Sequence, residues 1–276
     1  MNNIINILFC FDLNYWKKTI VTITQMLTKT NQNNFYNIFC IIDKIPSFSF
    51  EEIINKVYKG KNFKIIFKLK LDDFQNTDTH QWTNAIMWRL QAAKIIDEDK
   101  ILSFDVDVVF RDDPALFFLN ELNTHLGGML DLMSVEYLAK NKHQLGFDEI
   151  GKEKAKNYIN YGCVLMNLKK IREDNMYEEF LKLSVKNWFF PEQHIFNISC
   201  TKTIFDISYS CFNYWFQYLK KDIFPYFAKS KREMKIALKH TKYVHFNKPK
   251  QWSKWCLRNF KLRREWLKIN KILLNE

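Results

Sequence analysis

The sequence of 276 residues contains little glycine and little proline, with six and five residues respectively. Loop-rich all-β folds and long flexible linkers normally need more of both, so neither is expected here. No apolar run approaches the roughly 18 residues that cross a bilayer. Residues 1–6 also lack the basic region and cleavage site of a signal peptide. We therefore expect a globular chain that stays in the cytoplasm.

Cysteine is sparse and is not spaced for metal binding or cross-linking. No two of the six cysteines form a C-x-x-C pair, so neither a zinc site nor a disulfide framework is indicated. We expect reduced thiols that behave mostly as small buried hydrophobic side chains. The six are Cys10, Cys40, Cys163, Cys200, Cys211 and Cys256.

Acidic residues are scarce only in the last part of the chain. The sequence holds 42 Lys and Arg against 30 Asp and Glu, a net charge of +12. Residues 229–276 contain 15 of the basic and 3 of the acidic residues, so residues 1–228 are neutral, with 27 of each sign. Because 47% of the residues are hydrophobic and 25 are Phe, the chain is not disordered and has enough apolar surface for a large core.

Strand and helix patterns alternate along the first 105 residues. Strands are predicted at 4–11, 35–43, 62–71 and 100–105, and helices at about 14–30, 79–96 and 169–187. This alternation is typical of an α/β fold with a mostly parallel sheet. In such sheets ligands bind beyond the carboxyl ends of the strands.

Polar groups follow three of these predicted strands. Asp12 and Asn14 follow the first strand, Asp43 the second, and Asp105 and Asp107 the fourth. Two carboxylates at positions i and i+2, where a buried strand leaves the sheet, can hold Mg²⁺ or Mn²⁺, and the cation would bridge a diphosphate. A solvated strand end would explain the same pair, so the metal site is one of two interpretations at this point.

Four further segments carry polar residues in a defined order, at 9–15, 160–168, 191–197 and 245–252. With these four segments and the D-x-D of Asp105 and Asp107, the sequence resembles glycosyltransferase family 8. This family consists of retaining enzymes and includes lipopolysaccharide galactosyl- and glucosyltransferases and glycogenin. That family has A-x-D-D-N-Y, D-x-D, F-N-A-G-V-x-x-I-N-L, D-Q-D-x-L-N and H-x-x-G-x-x-K-P-W in this order. The resemblance covers about residues 4–252.

The resemblance implies an α/β fold of the GT-A type, a single Rossmann-like nucleotide-diphospho-sugar transferase domain with a mixed, mostly parallel sheet. We place this catalytic domain at residues 1–250 and a basic, aromatic, amphipathic tail at 251–276. The implied activity is metal-dependent transfer of a hexose, with retention of configuration. The donor would be UDP-galactose or UDP-glucose, and the acceptor a cell-surface glycan or glycolipid such as lipopolysaccharide or lipooligosaccharide.

The resemblance also implies roles for individual residues on the nucleotide side. Asp105, Asp107 and His245 would ligate the metal, Mn²⁺ or Mg²⁺, and Asp105 would also lie near the ribose and the sugar. Asp12 and Asn14 would contact the uracil and the ribose. Negative charge develops on the diphosphate as UDP departs, so cations placed there stabilise the transition state.

On the sugar side, the resemblance implies that Arg89 touches the donor sugar and that Asp131 binds its hydroxyls. Asn160, Glu192 and Gln193 would face the donor sugar and the acceptor. The transferred sugar becomes oxocarbenium-like, so nearby amide and carboxylate oxygens suit its positive charge.

The sequence departs from the family pattern at several positions. Leu13 replaces the second Asp of D-D-N-Y, Tyr161 replaces the Ala of N-A-G, and Glu192 and His194 replace both Asp of D-Q-D. Two lysines close the last motif. Lys250 would meet the diphosphate. Lys248 stands where the family has a Gly whose backbone approaches phosphate, and two interpretations are open: Lys248 supplies a cation in place of that contact, or it impairs donor binding.

The last part of the tail has the pattern of a basic amphipathic helix. A stripe that includes Trp252, Trp266, Ile269 and Leu273 lies beside a basic face, which favours attachment to an anionic membrane, the inner face of the cytoplasmic membrane. The alternative is a terminal helix packed on the domain with its basic face in solvent. The basic residues, at steps of three or four, are Lys254, Arg258, Lys261, Arg264, Lys268 and Lys271.

Two other function classes are compatible with parts of the sequence. A haloacid dehalogenase-type phosphatase also uses a buried strand followed by D-x-D-x-[T/V], but no Asp-Asp pair follows Asp113. A non-enzymatic basic protein that binds membranes or nucleic acid would explain the tail alone. Nucleic acid is not the expected partner, because the basic excess is confined to the C-terminal part.

Overall fold

The computed structural model describes residues 3–74, 77–79, 83–140, 147–212, 222–246, 250–253 and 260–275. The strands are β1 (Ile4–Cys10), β2 (Phe35–Ile42), β3 (Phe63–Leu69), β4 (Lys100–Phe104), β5 (Val108–Phe110), β6 (Leu126–Leu130), β7 (Ile159–Asn167), β8 (Lys202–Ile204), β9 (Ser210–Phe212) and β10 (Tyr243–His245). The α-helices are α1 (Trp16–Leu27), α2 (Phe50–Ile54), α3 (Ala92–Ile95), α4 (Ala115–Phe118), α5 (Leu132–Lys140), α6 (Phe147–Ala155), α7 (Leu168–Glu173), α8 (Met176–Ser184), α9 (Pro191–Ser199), α10 (Lys231–His240) and α11 (Phe260–Leu274). Short 3₁₀ helices occur at Leu13–Tyr15, Asn84–Gln91 and Phe224–Tyr226.

A seven-stranded sheet in the order β3-β2-β1-β4-β7-β6-β8 forms the centre of the protein. Strands β3, β2, β1 and β4 are parallel, and β7 runs antiparallel to β4 and β6. All residues of β2 after Phe35 are buried, as expected for a strand covered by helices on both faces. The predicted α/β class with a mixed, mostly parallel sheet is confirmed.

A second sheet has three strands in the order β5-β10-β9. Its first strand, β5, follows β4 after a link of three residues. Strand β5 pairs antiparallel with β10, so that Val108 lies opposite His245. Residues 105–107 are therefore the direct link between the two sheets. Whatever these three residues carry is placed where two sheets meet, at the carboxyl edge of the parallel strands.

Two predicted helices differ from the observed ones. The segment predicted as a helix at 79–96 contains the 3₁₀ helix Asn84–Gln91, followed by the short α3. The side-chain amide of Gln91 forms hydrogen bonds with both backbone groups of Leu71 (2.8 and 2.9 Å). Tertiary contacts of this kind override the helical periodicity. The helix predicted at 169–187 is divided into α7 and α8 at Asn175, whose φ of 50° lies in the left-handed region. Asn enters that region more readily than most residues.

The C-terminal helix α11 packs against α1. The side chains of Trp266, Ile269 and Leu273 are buried, and Nε1 of Trp266 donates to Oγ1 of Thr22 at 3.0 Å. These three side chains were expected to face a membrane, and the structure corrects that expectation, because their burial stabilises the domain instead. The basic face, including Lys268, is exposed, and the domain boundary at residue 250 stays a prediction.

No described helix combines the length and apolar character needed to cross a membrane. Among the described residues, Cys10, Cys40, Cys163 and Cys200 are free thiols, and three of them are buried. The reduced state of the cysteines stays a prediction.

We expect the Trp266→Ala substitution to lower the free energy of unfolding by about 3–5 kcal/mol, because it leaves a cavity between α11 and α1. The matched change Ile272→Ala lies on the same helix at a side chain that is 55% exposed, and it should cost well under about 1 kcal/mol. Urea unfolding measures both variants. A Trp266→Ala variant as stable as Ile272→Ala would show that α11 does not contribute to the core.

Candidate active site

Asp105 and Asp107 lie in the link between the two sheets, and the backbone there is held from both sides. The N–H of Asp105 donates to the carbonyl of Gly162 in β7 (3.1 Å), and the carbonyl of Asp107 accepts from the N–H of Phe246 after β10 (2.8 Å). Asp107 is only 4% exposed. The sequence thus places one carboxylate at the surface of the site and a second one inside it.

His245 completes a cluster with the two carboxylates. Its Nε2 lies 3.5 Å from Oδ2 of Asp105 and 3.1 Å from Oδ1 of Asp107, and one ligand atom from each of the three residues lies within 4.8 Å of the others. Gly162 makes room for the imidazole, because a Cβ there would lie 2.5 Å from Cε1 and Cγ of His245. Glycine is therefore needed at position 162 because the ring of His245 packs against it, and not because the backbone turns there.

The donor set and its hydrogen bonds fit a divalent cation. Oδ1 of Asp107 is buried and accepts no hydrogen bond within the described part of the chain. Nδ1 of His245 lies 3.2 Å from Oδ1 of Asn160, and this contact orients the ring so that Nε2 faces the carboxylates. An imidazole oriented by a second residue, together with two carboxylates, is a common site for Mn²⁺ or Mg²⁺.

Lys250 places a positive charge beside the same cluster, since its ammonium group forms an ion pair with Oδ2 of Asp107. Burial opposes ionisation of Asp107, but His245 and Lys250 outweigh it and hold the pKa of this carboxyl below its usual value. Burial likewise lowers the pKa of Lys250, but attraction to Asp107 dominates and raises it. The ammonium therefore holds a positive charge next to one of the carboxylates that would ligate a cation.

Arg89 joins the cluster to α9. Its NH2 group lies 2.6 Å from Asp105 and its NH1 group 2.7 Å from Glu192, and NH1 also donates to the carbonyl of Tyr161 (3.1 Å). Burial raises the pKa of Glu192 from 4.5 to about 8, although attraction to Arg89 opposes this shift and repulsion from Asp105 adds to it. Arg89 stays charged, because its two carboxylate partners outweigh its own burial.

Asn160 connects the metal cluster to the remaining predicted residues. Its Nδ2 donates to Oδ2 of Asp131 (2.9 Å) and to Oε1 of Gln193 (3.3 Å), and its Oδ1 accepts from the N–H of Gly162 (2.9 Å). Burial raises the pKa of Asp131, although the hydrogen bond from Asn160 opposes the shift. The structure thus brings Asp131, Asn160 and Gln193 together beside His245.

Asp12 and Asn14 lie on the turn after β1, next to the end of β4. Oδ1 of Asp12 accepts from the N–H of Asn14 (3.0 Å), and the side chain of Asn14 is exposed. The rings of Tyr15 and Trp252 meet at 6.3 Å, so this turn adjoins the segment that carries Lys250. Lys248 lies outside the described residues.

One contributor to this site was missed by the sequence analysis. The hydroxyl of Tyr158 contacts both Nε2 of Gln193 (3.2 Å) and Nδ1 of His194 (2.5 Å). The available signal was position, since Tyr158 stands two residues before Asn160, immediately before β7. His194 was noted only as a departure from the family pattern.

The family model described as "Glycosyl transferase family 8" matches residues 6–256. No curated protein sequence gives a significant match. Three solved structures share the fold at low sequence identity, and the fold is therefore of the GT-A type predicted from the resemblance.

The galactosyltransferase LgtC, in complex with donor and acceptor sugar analogues, is 18% identical with a TM-score of 0.74, covering 96% of this chain and 95% of LgtC. The bifunctional glycosyltransferase WbbM in its apo form is 16% identical with a TM-score of 0.73, covering 98% of this chain and 50% of WbbM. This chain therefore spans half the length of WbbM. The glycosyltransferase GlyE of Streptococcus pneumoniae is 16% identical with a TM-score of 0.62, covering 99% of this chain and 63% of GlyE.

The raised pKa of Glu192 makes its contribution to stability depend on pH. A group that binds its proton more tightly in the folded state stabilises the fold fully below its unfolded pKa, here 4.5, and that stabilisation is lost as the pH rises through about 8. Between about pH 5 and about pH 9, the wild type should therefore lose about 1 kcal/mol or more relative to Glu192→Gln, measured by urea unfolding. The exposed Glu178→Gln variant is the control, and a pH-independent difference for Glu192→Gln would contradict the assignment.

Proposed function

Because the chain belongs to glycosyl transferase family 8, we propose that it is a retaining hexosyltransferase that moves galactose or glucose from a UDP-sugar to a glycan or glycolipid acceptor. The observation that carries this proposal is the cluster of Asp105, Asp107 and His245 with Lys250 beside it. Carboxylates that can hold a divalent cation, with a lysine beside them at the carboxyl edge of a parallel sheet, are suited to binding a nucleotide diphosphate. Because the family model matches residues 6–256, we do not retain the hypothesis of a haloacid dehalogenase-type phosphatase.

On the nucleotide side, Asp105, Asp107 and His245 would hold Mn²⁺ or Mg²⁺, which supplies positive charge against the diphosphate when bound. Lys250 would add a second positive charge against the departing UDP. We assign uracil and ribose contacts to Asp12 and Asn14, since their turn follows β1, which pairs with the end of β4 that leads to Asp105.

The proposal also includes Lys248. We assign it a contact with the phosphates from its place in the last motif alone.

On the sugar side, Arg89 and Glu192 form a buried, hydrogen-bonded pair that would bind donor hydroxyls from fixed positions. Asp131 and Asn160 would bind further hydroxyls. The carbonyl of Gln193 would face the positive charge that develops on the transferred sugar, a placement consistent with attack from the same face that UDP leaves.

The choice of galactose or glucose and of a lipopolysaccharide-type acceptor is part of the proposal. Galactose is supported by the structural likeness to LgtC, a galactosyltransferase of nearly the same length. Glucose and the lipopolysaccharide-type acceptor rest on the family resemblance alone. A panel of nucleotide sugars in a thermal-shift assay with Mn²⁺ would identify the donor.

We expect UDP with Mn²⁺ to bind the wild type in a calorimetric titration and to fail to bind an Asp105→Ala/Asp107→Ala double variant, because the metal cannot be held without the two carboxylates. The matched control is Asp97→Ala/Asp99→Ala, which removes the other D-x-D of the sequence at two exposed positions. Binding that survives loss of Asp105 and Asp107, or no binding by the wild type, would refute the proposed site.

We also propose that the protein is a peripheral protein on the cytoplasmic face of an anionic membrane. Since the apolar face of α11 is buried, the support is the exposed basic face with Lys261, Arg264, Lys268 and Lys271. Each such residue near an anionic surface contributes about 1 kcal/mol. An acceptor anchored in lipid would be presented at the same surface.

Reversing charge at Arg264, Lys268 and Lys271 to Glu should abolish flotation with vesicles that contain phosphatidylglycerol, because attraction becomes repulsion. Deleting the tail is the poorer test, since it would also remove Trp266 from the core. The control reverses three exposed lysines elsewhere on the surface, Lys152, Lys156 and Lys182. Equal flotation of the wild type and the α11 variant would refute membrane attachment through this helix.

A further inference from the structure

The side-chain amide of Gln193 is held at both ends. Its Oε1 accepts from the N–H of Tyr161 (3.2 Å) and from Nδ2 of Asn160 (3.3 Å), while its Nε2 donates to the hydroxyl of Tyr158 (3.2 Å). A flipped amide would face two donors with its NH₂ group. The orientation of Gln193 is therefore decided by groups on both of its sides.

The hydroxyl of Tyr158 has a single proton, and its contacts determine where that proton goes. The oxygen accepts from Nε2 of Gln193, so the proton is directed to Nδ1 of His194 at 2.5 Å. Among the hydrogen-bond partners described for Tyr158, Nδ1 is the acceptor for this proton. The hydrogen bonds therefore require an unprotonated Nδ1 and a proton on Nε2 of His194.

The surroundings of His194 fix the ring in this position. His194 has no exposed surface, and its ring centre lies 5.6 to 5.8 Å from four aromatic rings. These belong to Phe147, Tyr158, Trp188 and Phe190. A ring packed on several sides cannot turn its nitrogen away from Tyr158 without disturbing the core.

We propose that Tyr158 and His194 are positioning residues that hold the Gln193 amide with its carbonyl oxygen, and not its NH₂ group, toward Asn160 and the transferred sugar. The inference rests on the proposed function for the sugar-facing role of Gln193. A carbonyl dipole fixed in advance stabilises positive charge on the sugar, whereas an NH₂ group in its place would repel it. The sequence departure at His194 then supplies a neutral acceptor for the Tyr158 proton.

Steady-state kinetics with UDP-galactose or UDP-glucose test the chain of hydrogen bonds. Tyr158→Phe removes the hydroxyl, and His194→Phe fills the aromatic cage without an acceptor. Each should lower kcat by about tenfold or more, equivalent to about 1.4 kcal/mol, with KM for the donor changed by less than about twofold. His194→Asn returns an acceptor oxygen and should restore part of the loss.

The control is Phe180→Leu, which alters the packing of α8 on α9 at Phe196 (ring centres 5.0 Å apart) but lies outside the aromatic cage of His194, and it should keep kcat near the wild-type value. An unchanged kcat in Tyr158→Phe, or an equal loss in Phe180→Leu, would overturn the positioning role. Gln193→Ala distinguishes the proposed role of Gln193 at the sugar from the positioning role of Tyr158 and His194. If that variant keeps the wild-type kcat, the proposed role of Gln193 fails.

A readout independent of activity is the tautomer of His194, measured by ¹⁵N NMR on histidine-labelled protein and assigned by loss of the signal in His194→Phe. We expect the Nε2–H tautomer in the wild type. A resting Nδ1–H tautomer would overturn the proposal, whatever the kinetics of the other variants.

Discussion

The burial of one carboxylate, Asp107, at the junction of two sheets is the constraint on which the site depends. A buried charge is tolerated only when opposite charges and hydrogen bonds compensate it. Here Lys250 and His245 provide that compensation, and each comes from a segment near the end of the chain. The first sheet supplies the negative charges, and the chain must return about 140 residues later to neutralise them.

The same logic extends outward from Asp105. Its partner Arg89 is itself buried and also contacts Glu192, so two carboxyl groups share one guanidinium. Gly162 lacks a side chain because the ring of His245 fills that space. The polar groups of the site are therefore coupled. When a substrate binds with its metal ion, the charge of the metal would replace part of the compensation that Lys250 and His245 give to Asp107. Such coupling explains how a site can be rigid before any ligand binds.

Several parts of this arrangement could be read from the sequence. The strands β1, β2 and β4 follow from apolar runs that end in polar residues, and position alone put Asp105 and Asp107 at the carboxyl edge. Bringing His245, Asn160 and Gln193 to the same place required the ordered motifs of a resembled family, because these residues are distant in sequence and periodicity carries no information about tertiary contact.

Other parts could not be predicted, for physical reasons. An amphipathic pattern such as that of α11 states that one face is apolar, but it does not state whether protein or lipid covers it. The hydrogen bond between Tyr158 and His194 joins two residue types that are common in cores. Only the three-dimensional packing shows that these two residues are partners. The 3₁₀ geometry of Asn84–Gln91 depends on contacts with Leu71, which no local propensity encodes.

The most direct test of the central claim is a crystal structure of the protein grown or soaked with Mn²⁺ and UDP, with anomalous diffraction recorded for manganese. The account predicts one anomalous peak between Asp105, Asp107 and His245, with the diphosphate on the side of Lys250. A manganese peak at another place, or UDP bound in this cleft with no peak between those three side chains, would contradict it.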